Sequence, residues 1–142
     1  MKKTPAFFFC SLALISVVWL STCKSSTSTG PPGVIIGDPS FVTDIEGIFS
    51  NTCSAVTCHG AARQAELTLL RDEVYSNLVN AASKEVPAKK RVFPFNAEDS
   101  YVVIKLEGRQ TAGARMPASG GPLSDTDIQN IKNWINKGAK NN

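Results

Sequence analysis

Apolar positions along the chain fall into four short helical stripes, and no stretch alternates apolar and polar residues with period two for long enough to predict a sheet. Phe41, Ile45, Ile48 and Phe49 recur at i, i+4, i+7 and i+8. They mark one face of a helix that Asp38 and Pro39 are suited to start and that runs directly into Cys53. Leu67, Leu69 and Leu70 lead into a second predicted helix, 72–82, where Val74, Tyr75, Leu78 and Val79 share a face. A short third helix is predicted over 96–107, with acids Glu98 and Asp99 early, Tyr101 and Ile104 following, and Gly108 just past the end. In the last stripe, Ile128, Ile131, Trp134 and Ile135 follow Ser124-Asp125-Thr126-Asp127, a near capping box, and Gly138 ends the run. The expectation is one small all-α domain over residues 38–142, with about four helices and long loops.

The intervening segments read as loops. Residues 60–66 are small and polar, with room for one helical turn, and 108–122 is rich in glycine and proline. Residues 84–95 contain Pro87, Pro94 and the run Lys89-Lys90-Arg91, which reads as a solvated loop with extended pieces.

The N-terminus is set apart from this domain. Lys2 and Lys3 precede the apolar run 6–20, which is shorter than the ~20 residues a membrane-spanning helix needs, so residues 1–22 read as an export signal. Leu20-Ser21-Thr22-Cys23 resembles the lipobox of bacterial lipoproteins, although Thr22 departs from the usual small residue. That resemblance implies lipidation of Cys23 and a lipid anchor on a membrane surface, and Lys24 in place of aspartate leans toward the outer membrane. Ordinary cleavage nearby, leaving Cys23 as an odd thiol, is the alternative. Residues 24–37, with Ser25, Ser26, Thr27, Ser28, Thr29, Gly30, Pro31, Pro32 and Gly33, read as a flexible tether.

Charge excludes little but narrows the partners. Removing residues 1–22 takes away Lys2 and Lys3 and no acid, which leaves 13 basic against 12 acidic residues. A nearly neutral chain without a basic stripe gives no support for nucleic-acid binding.

With Cys10 in the signal and Cys23 at the lipobox, Cys53 and Cys58 are the cysteines left to the domain, and His59, the single histidine, abuts the second of them. The pattern C-x-x-C-H attaches c-type haem, two sulfurs bonding the vinyl groups while the histidine ligates iron. Here the gap is four residues, Ser54-Ala55-Val56-Thr57, small enough to bulge away. Structural zinc is disfavoured, because it takes four ligands, usually in two pairs, and no second pair exists. A Cys53–Cys58 disulfide remains open in an exported chain, though it leaves the adjoining histidine unexplained. A further axial ligand could come from Met116, the one methionine besides Met1, in the loop Arg115-Met116-Pro117, with a core filler as the alternative reading of a lone methionine. A domain of this size is marginal on its own core, and an apolar cofactor would add to it, with the glycine-rich loops as walls.

A helix entering the cysteine motif, histidine directly after it, a later Met-Pro loop and a closing amphipathic helix together resemble a class I cytochrome c. The segments 99–106, 115–117, 121–124 and 134–139 are similar to cytochrome c-type haem-binding domains of planctomycete and related bacterial surface proteins. The resemblance spans about 38–139. It implies one covalent haem c on Cys53 and Cys58, iron ligated by His59 and Met116, and first and last helices that pack together. By the same resemblance Phe41, Ile45, Ile48 and Phe49 would meet Ile131, Trp134 and Ile135.

The function so implied is that of a monohaem electron-transfer protein, not an enzyme, outside the cytoplasm, periplasmic or outer-membrane associated, exchanging electrons with redox partner proteins. Arg115 is a candidate partner for a haem propionate, and solvent exposure is its alternative. A haem peroxidase or gas sensor in which Met116 dissociates, a haem subunit of a larger complex, and a haem-free, disulfide-stapled interaction module are the other readings.

Overall fold

The computed structural model describes residues 33–142. The expected signal, Cys23 and most of the tether lie outside the described residues. Among the described residues the domain is all-α, with four α-helices and no strands.

Ser40, not Asp38, caps the first helical stretch. Its hydroxyl accepts from the Thr43 N–H, and the Asp44 carboxylate accepts the Ser40 N–H at 2.8 Å, while Pro39 is buried just ahead. Phe41–Ile45 forms a π-helical turn that continues into α1, Glu46–Thr52. A 3-10 turn, Arg71–Glu73, leads into α2, Val74–Leu78.

Helix α2 is shorter than its apolar stripe predicts because its C-terminal end exchanges helical bonds for pairing with a distant loop. The Val79 N–H still closes on the Tyr75 carbonyl at 2.9 Å, but Asn80 takes a φ of 59° and donates to the Val92 carbonyl at 3.0 Å. Isolated bridges join Val79 to Val92 and Ala82 to Lys90, so the loop after α2 returns alongside itself.

Helix α3, Tyr101–Glu107, begins later than expected, since the Ser100 hydroxyl is engaged with the Asn96 carbonyl at 2.8 Å and with the Phe93 N–H at 2.8 Å. Gly108, at φ 77°, ends it, and Arg109 N–H returns to the Ile104 carbonyl at 2.9 Å. Helix α4, Asp125–Asn136, has the predicted Ser124 cap. Asp127 N–H donates to Ser124 Oγ at 3.0 Å, and that hydroxyl donates to the Asp127 carboxylate at 2.8 Å.

The two ends of the domain pack on each other. The Phe41 ring lies 5.3 Å from Trp134 and 5.1 Å, edge-on, from Tyr75, and Ile45, Ile48, Phe49, Ile131 and Ile135 are buried around them. Each such side chain contributes roughly 1.5–3 kcal/mol on leaving water. Helix α3 lies along α4, where Lys132 pairs with Glu98 at 2.6 Å and with Glu107 at 2.9 Å.

The end of the expected tether is tied to α4. Asn130 accepts the Ile36 N–H at 2.8 Å and donates to the Val34 carbonyl at 3.1 Å, and Asn133 donates to the Ile36 carbonyl at 2.7 Å. No helix of the described residues is long and apolar enough to cross a membrane. With α4 sealing one side of the core, α1, α2 and α3 leave a wedge open on the other.

Candidate functional site

That wedge is a cavity of about 410 Å³, within the ~300–1,000 Å³ of ligand and cofactor clefts. Phe49, Leu67, Leu69, Leu78, Val102 and Leu106 supply apolar wall. Cys53, Cys58, His59 and Met116, the four residues singled out by the sequence, all line it.

The first wall follows from where α1 stops. Cys53 caps the helix, its N–H on the Phe49 carbonyl at 2.9 Å, and its own carbonyl accepts the His59 N–H at 3.3 Å. The chain thus folds back over six residues. Ala55 accepts from both Cys58 N–H (2.8 Å) and Gly60 N–H (3.1 Å), and Ala55, Val56 and Thr57 are pushed out to solvent. A side chain at Gly60 is impossible without moving this turn, because its Cβ would stand 2.4 Å from the Ser54 carbonyl oxygen and 2.9 Å from that of Ala55. Glycine here serves a close backbone approach, a requirement the sequence reading did not register.

His59 is buried, and its Nδ1 lies 3.0 Å from the Gln64 carbonyl oxygen. A carbonyl can only accept, so Nδ1 carries a proton, and in the neutral ring Nε2 keeps its lone pair. The Gln64 and Leu69 amides bind the Cys58 and His59 carbonyls at 3.0 and 2.7 Å, which fixes the segment that orients the ring. Cys53 and Cys58 are free thiols. Burial, reinforced by the neighbouring Cys58, pushes the Cys53 thiol up to about 12, so it is neutral at physiological pH.

The opposite wall carries Met116, half-buried, with a cis peptide bond to Pro117. Its N–H donates to the Lys105 carbonyl at 3.0 Å. Arg115 is exposed and does not line the cavity; its Nε donates to the Leu106 carbonyl at 3.0 Å, at the C-terminal end of α3.

Sequence reasoning missed the charged residues of this site. Lys105 is 6% exposed, and its Nζ lies 2.6 Å from Glu85 Oε2, with the Tyr101 hydroxyl 2.9 Å from the same oxygen. Burial pushes the Glu85 carboxyl up, but the hydrogen bonds from Lys105 and Tyr101 outweigh it and hold Glu85 below the usual carboxylate range. Tyr101 rises to about 12, through burial and then through Glu85. The signal available was a lysine set between the apolar residues Ile104 and Leu106 of one short helix.

The basic run also divides. Lys89 pairs with Asp99 and Lys90 with Asn80, whereas Arg91 turns inward, donating to the carbonyls of Asn77 (2.9 Å), Ala65 and Glu66 (both 3.3 Å).

Two free thiols, an imidazole with an open Nε2 and a thioether around one largely apolar cavity form a donor set suited to an iron-bearing, apolar group. Among the described residues no group of three His, Cys, Asp or Glu side chains is placed to hold a bare metal ion. No family model, curated protein or solved structure matches the chain.

Proposed function

We propose that this protein is a monohaem c-type cytochrome, an electron carrier held outside the cytoplasm on a membrane by lipidated Cys23. The observation that carries this reading is the meeting of Cys53, Cys58, His59 and Met116, from two distant parts of the chain, on one apolar cavity. Bound there, haem supplies a one-electron ferric/ferrous couple.

The chain's own residues do the rest. Cys53 and Cys58 provide the sulfurs for thioether attachment, and both line the cavity despite the longer gap, with Ala55 and Thr57 of the turn between them also at its edge. His59 offers Nε2 to iron, with its ring fixed by the Nδ1 bond to Gln64. Met116 offers a thioether from the other wall, and His/Met ligation raises the potential. Phe49, Leu67, Leu69, Leu78, Val102 and Leu106 keep water out. Electrons pass to and from redox partner proteins, and the protein itself transforms no substrate.

Expression with a c-type haem maturation system tests the proposal. One covalently added haem by mass, a haem stain that survives denaturation and a low-spin spectrum are expected. An unmodified mass with a Cys53–Cys58 disulfide overturns it in favour of a stapled interaction module, and a five-coordinate, high-spin spectrum overturns it in favour of a gas or peroxide site. Met116→Ala is expected to abolish the sulfur-to-iron absorption and lower the potential. Replacing Cys23 is expected to release the protein from membranes; retention there refutes the anchor.

A further inference from the structure

The loop that carries Met116 has little packing to hold it. Gly113, Ala114, Arg115, Ala118 and Ser119 are all exposed, and only Ala112, Met116 and Pro117 among their neighbours are half-buried. Met116 itself packs against the edge of the core, and polar contacts to α3 and Glu85 tie down the exposed loop around it.

Those contacts converge on one cluster, in which Lys105 and Tyr101 are buried and Glu85 reaches the surface. The Ala112 carbonyl lies 3.3 Å from the Tyr101 hydroxyl and 3.4 Å from Lys105 Nζ; the lysine has protons for both this carbonyl and Glu85 Oε2, while the single Tyr101 proton is shared between the two, with Glu85 the nearer acceptor at 2.9 Å. Gly113 passes directly over the ion pair, at φ 64°; a Cβ there would stand 2.2 Å from Glu85 Oε1 and 2.9 Å from Lys105 Nζ. Three residues later the Met116 N–H returns to the carbonyl of the same Lys105. The loop is thus strapped to one residue at both ends of its 112–116 span, by side chain at one end and by backbone at the other.

A solvated lysine would explain none of this, since Lys105 is almost wholly buried. Stability alone does not explain it either, because an apolar residue of similar volume commonly serves a core as well as a buried ion pair does. What an apolar residue at 105 could not do is bind the Ala112 carbonyl.

We propose that Lys105, Glu85 and Tyr101 are positioning residues for Met116, holding loop 110–117 on α3 so that the methionine faces the cavity. The proposal rests on the cytochrome reading for what Met116 ligates, but the strap itself is a property of the chain with or without haem.

Two measurements test it on the full-length protein. In the haem-free form, amide hydrogen exchange at Met116 is expected to quicken about tenfold in Lys105→Met and several-fold in Tyr101→Phe, with α4 amides such as Ile131 unchanged. Tyr101→Phe keeps ring and charge and removes only the hydroxyl, so it decides the question if Lys105→Met fails to fold. Unchanged exchange at Met116 in a folded Tyr101→Phe protein, or equal acceleration at Ile131, overturns the strap.

In the haem-loaded form, Tyr101→Phe is expected to weaken the sulfur-to-iron absorption and lower the midpoint potential without any change in local charge. Full absorption and an unchanged potential overturn the positioning role. If no haem attaches, the cytochrome reading fails while the exchange measurement still judges the strap, so the two failures are distinguishable.

Discussion

The two walls of the cavity present the same kind of element, a loop carrying a sulfur or nitrogen donor, but they are fixed in different ways. The wall from Cys53 to His59 is held locally by backbone: a helix end, a reversed turn and carbonyls that accept nearby amides. The Met116 wall is held from a distance, by one backbone bond from Met116 to Lys105 and otherwise by side chains of α3 and by Glu85. A backbone-fixed wall has no slack and fails when an atom is added. A side-chain-fixed wall yields gradually, because Glu85 and Lys105 have rotatable stems.

Gly60→Ala breaks the first wall most severely. Its Cβ would meet two backbone carbonyls, which cannot swing aside, so a loss of about 3 kcal/mol in denaturant unfolding is expected. Gly113→Ala, whose Cβ meets chiefly the mobile end of Glu85, is expected to cost about 1–2 kcal/mol, mostly for its left-handed backbone. Equal losses would erase the distinction between the walls.

Arg91→Met comes next. It removes hydrogen bonds to three carbonyls that brace the far side of the first wall, at Asn77, Ala65 and Glu66, and a loss of about 2 kcal/mol is expected by thermal or chemical unfolding.

Buried Cys53 makes the haem-free, reduced protein sensitive to alkali. Its thiol rises from an ordinary 9.0 to about 12 in the native state, so the unfolded chain loses that proton first as pH increases. The native advantage is complete below pH 9.0 and is lost as pH rises from there toward about 12, by at most ~1.4 kcal/mol per pH unit. Tyr101 acts in the same direction, so the difference between wild type and Cys53→Ala isolates the cysteine. Parallel stability curves across that window would show that Cys53 does not respond to its wall.

Val56→Ser sharpens the comparison from the other side. Val56 is 72% exposed at the crest of the outward turn and contributes its carbonyl, not its side chain, to the wall. A stability change within about 0.5 kcal/mol is expected, and a larger loss would mean that the turn is held by side chains after all.

How much of this was legible beforehand varies by element. Helix α4 was predicted with its cap because Ser124, Asp127 and the Ile128-Ile131-Trp134-Ile135 stripe are all local to it. Helix α2 was overextended because Val92, which takes the Asn80 amide, is far along the chain and leaves no mark on residues 79–82. Ser40 displaced Asp38 as the cap, a slip of two residues that periodicity alone does not resolve. Arg115 is exposed, and its Nε donates to the Leu106 carbonyl at the end of α3, a contact that nothing local to residue 115 predicts.

The sequence by itself determined the donor types and the helical class, because residue chemistry and short-range periodicity are properties of neighbours in the chain. Only the tertiary structure decided that buried Lys105 and Tyr101 meet Glu85 beneath the Met116 loop, that Arg91 turns inward, and that His59 Nδ1 is committed to a carbonyl. Each of those depends on desolvation, which forces a buried charge or N–H to find a partner. Which partner it finds is settled by the packing of segments distant in sequence.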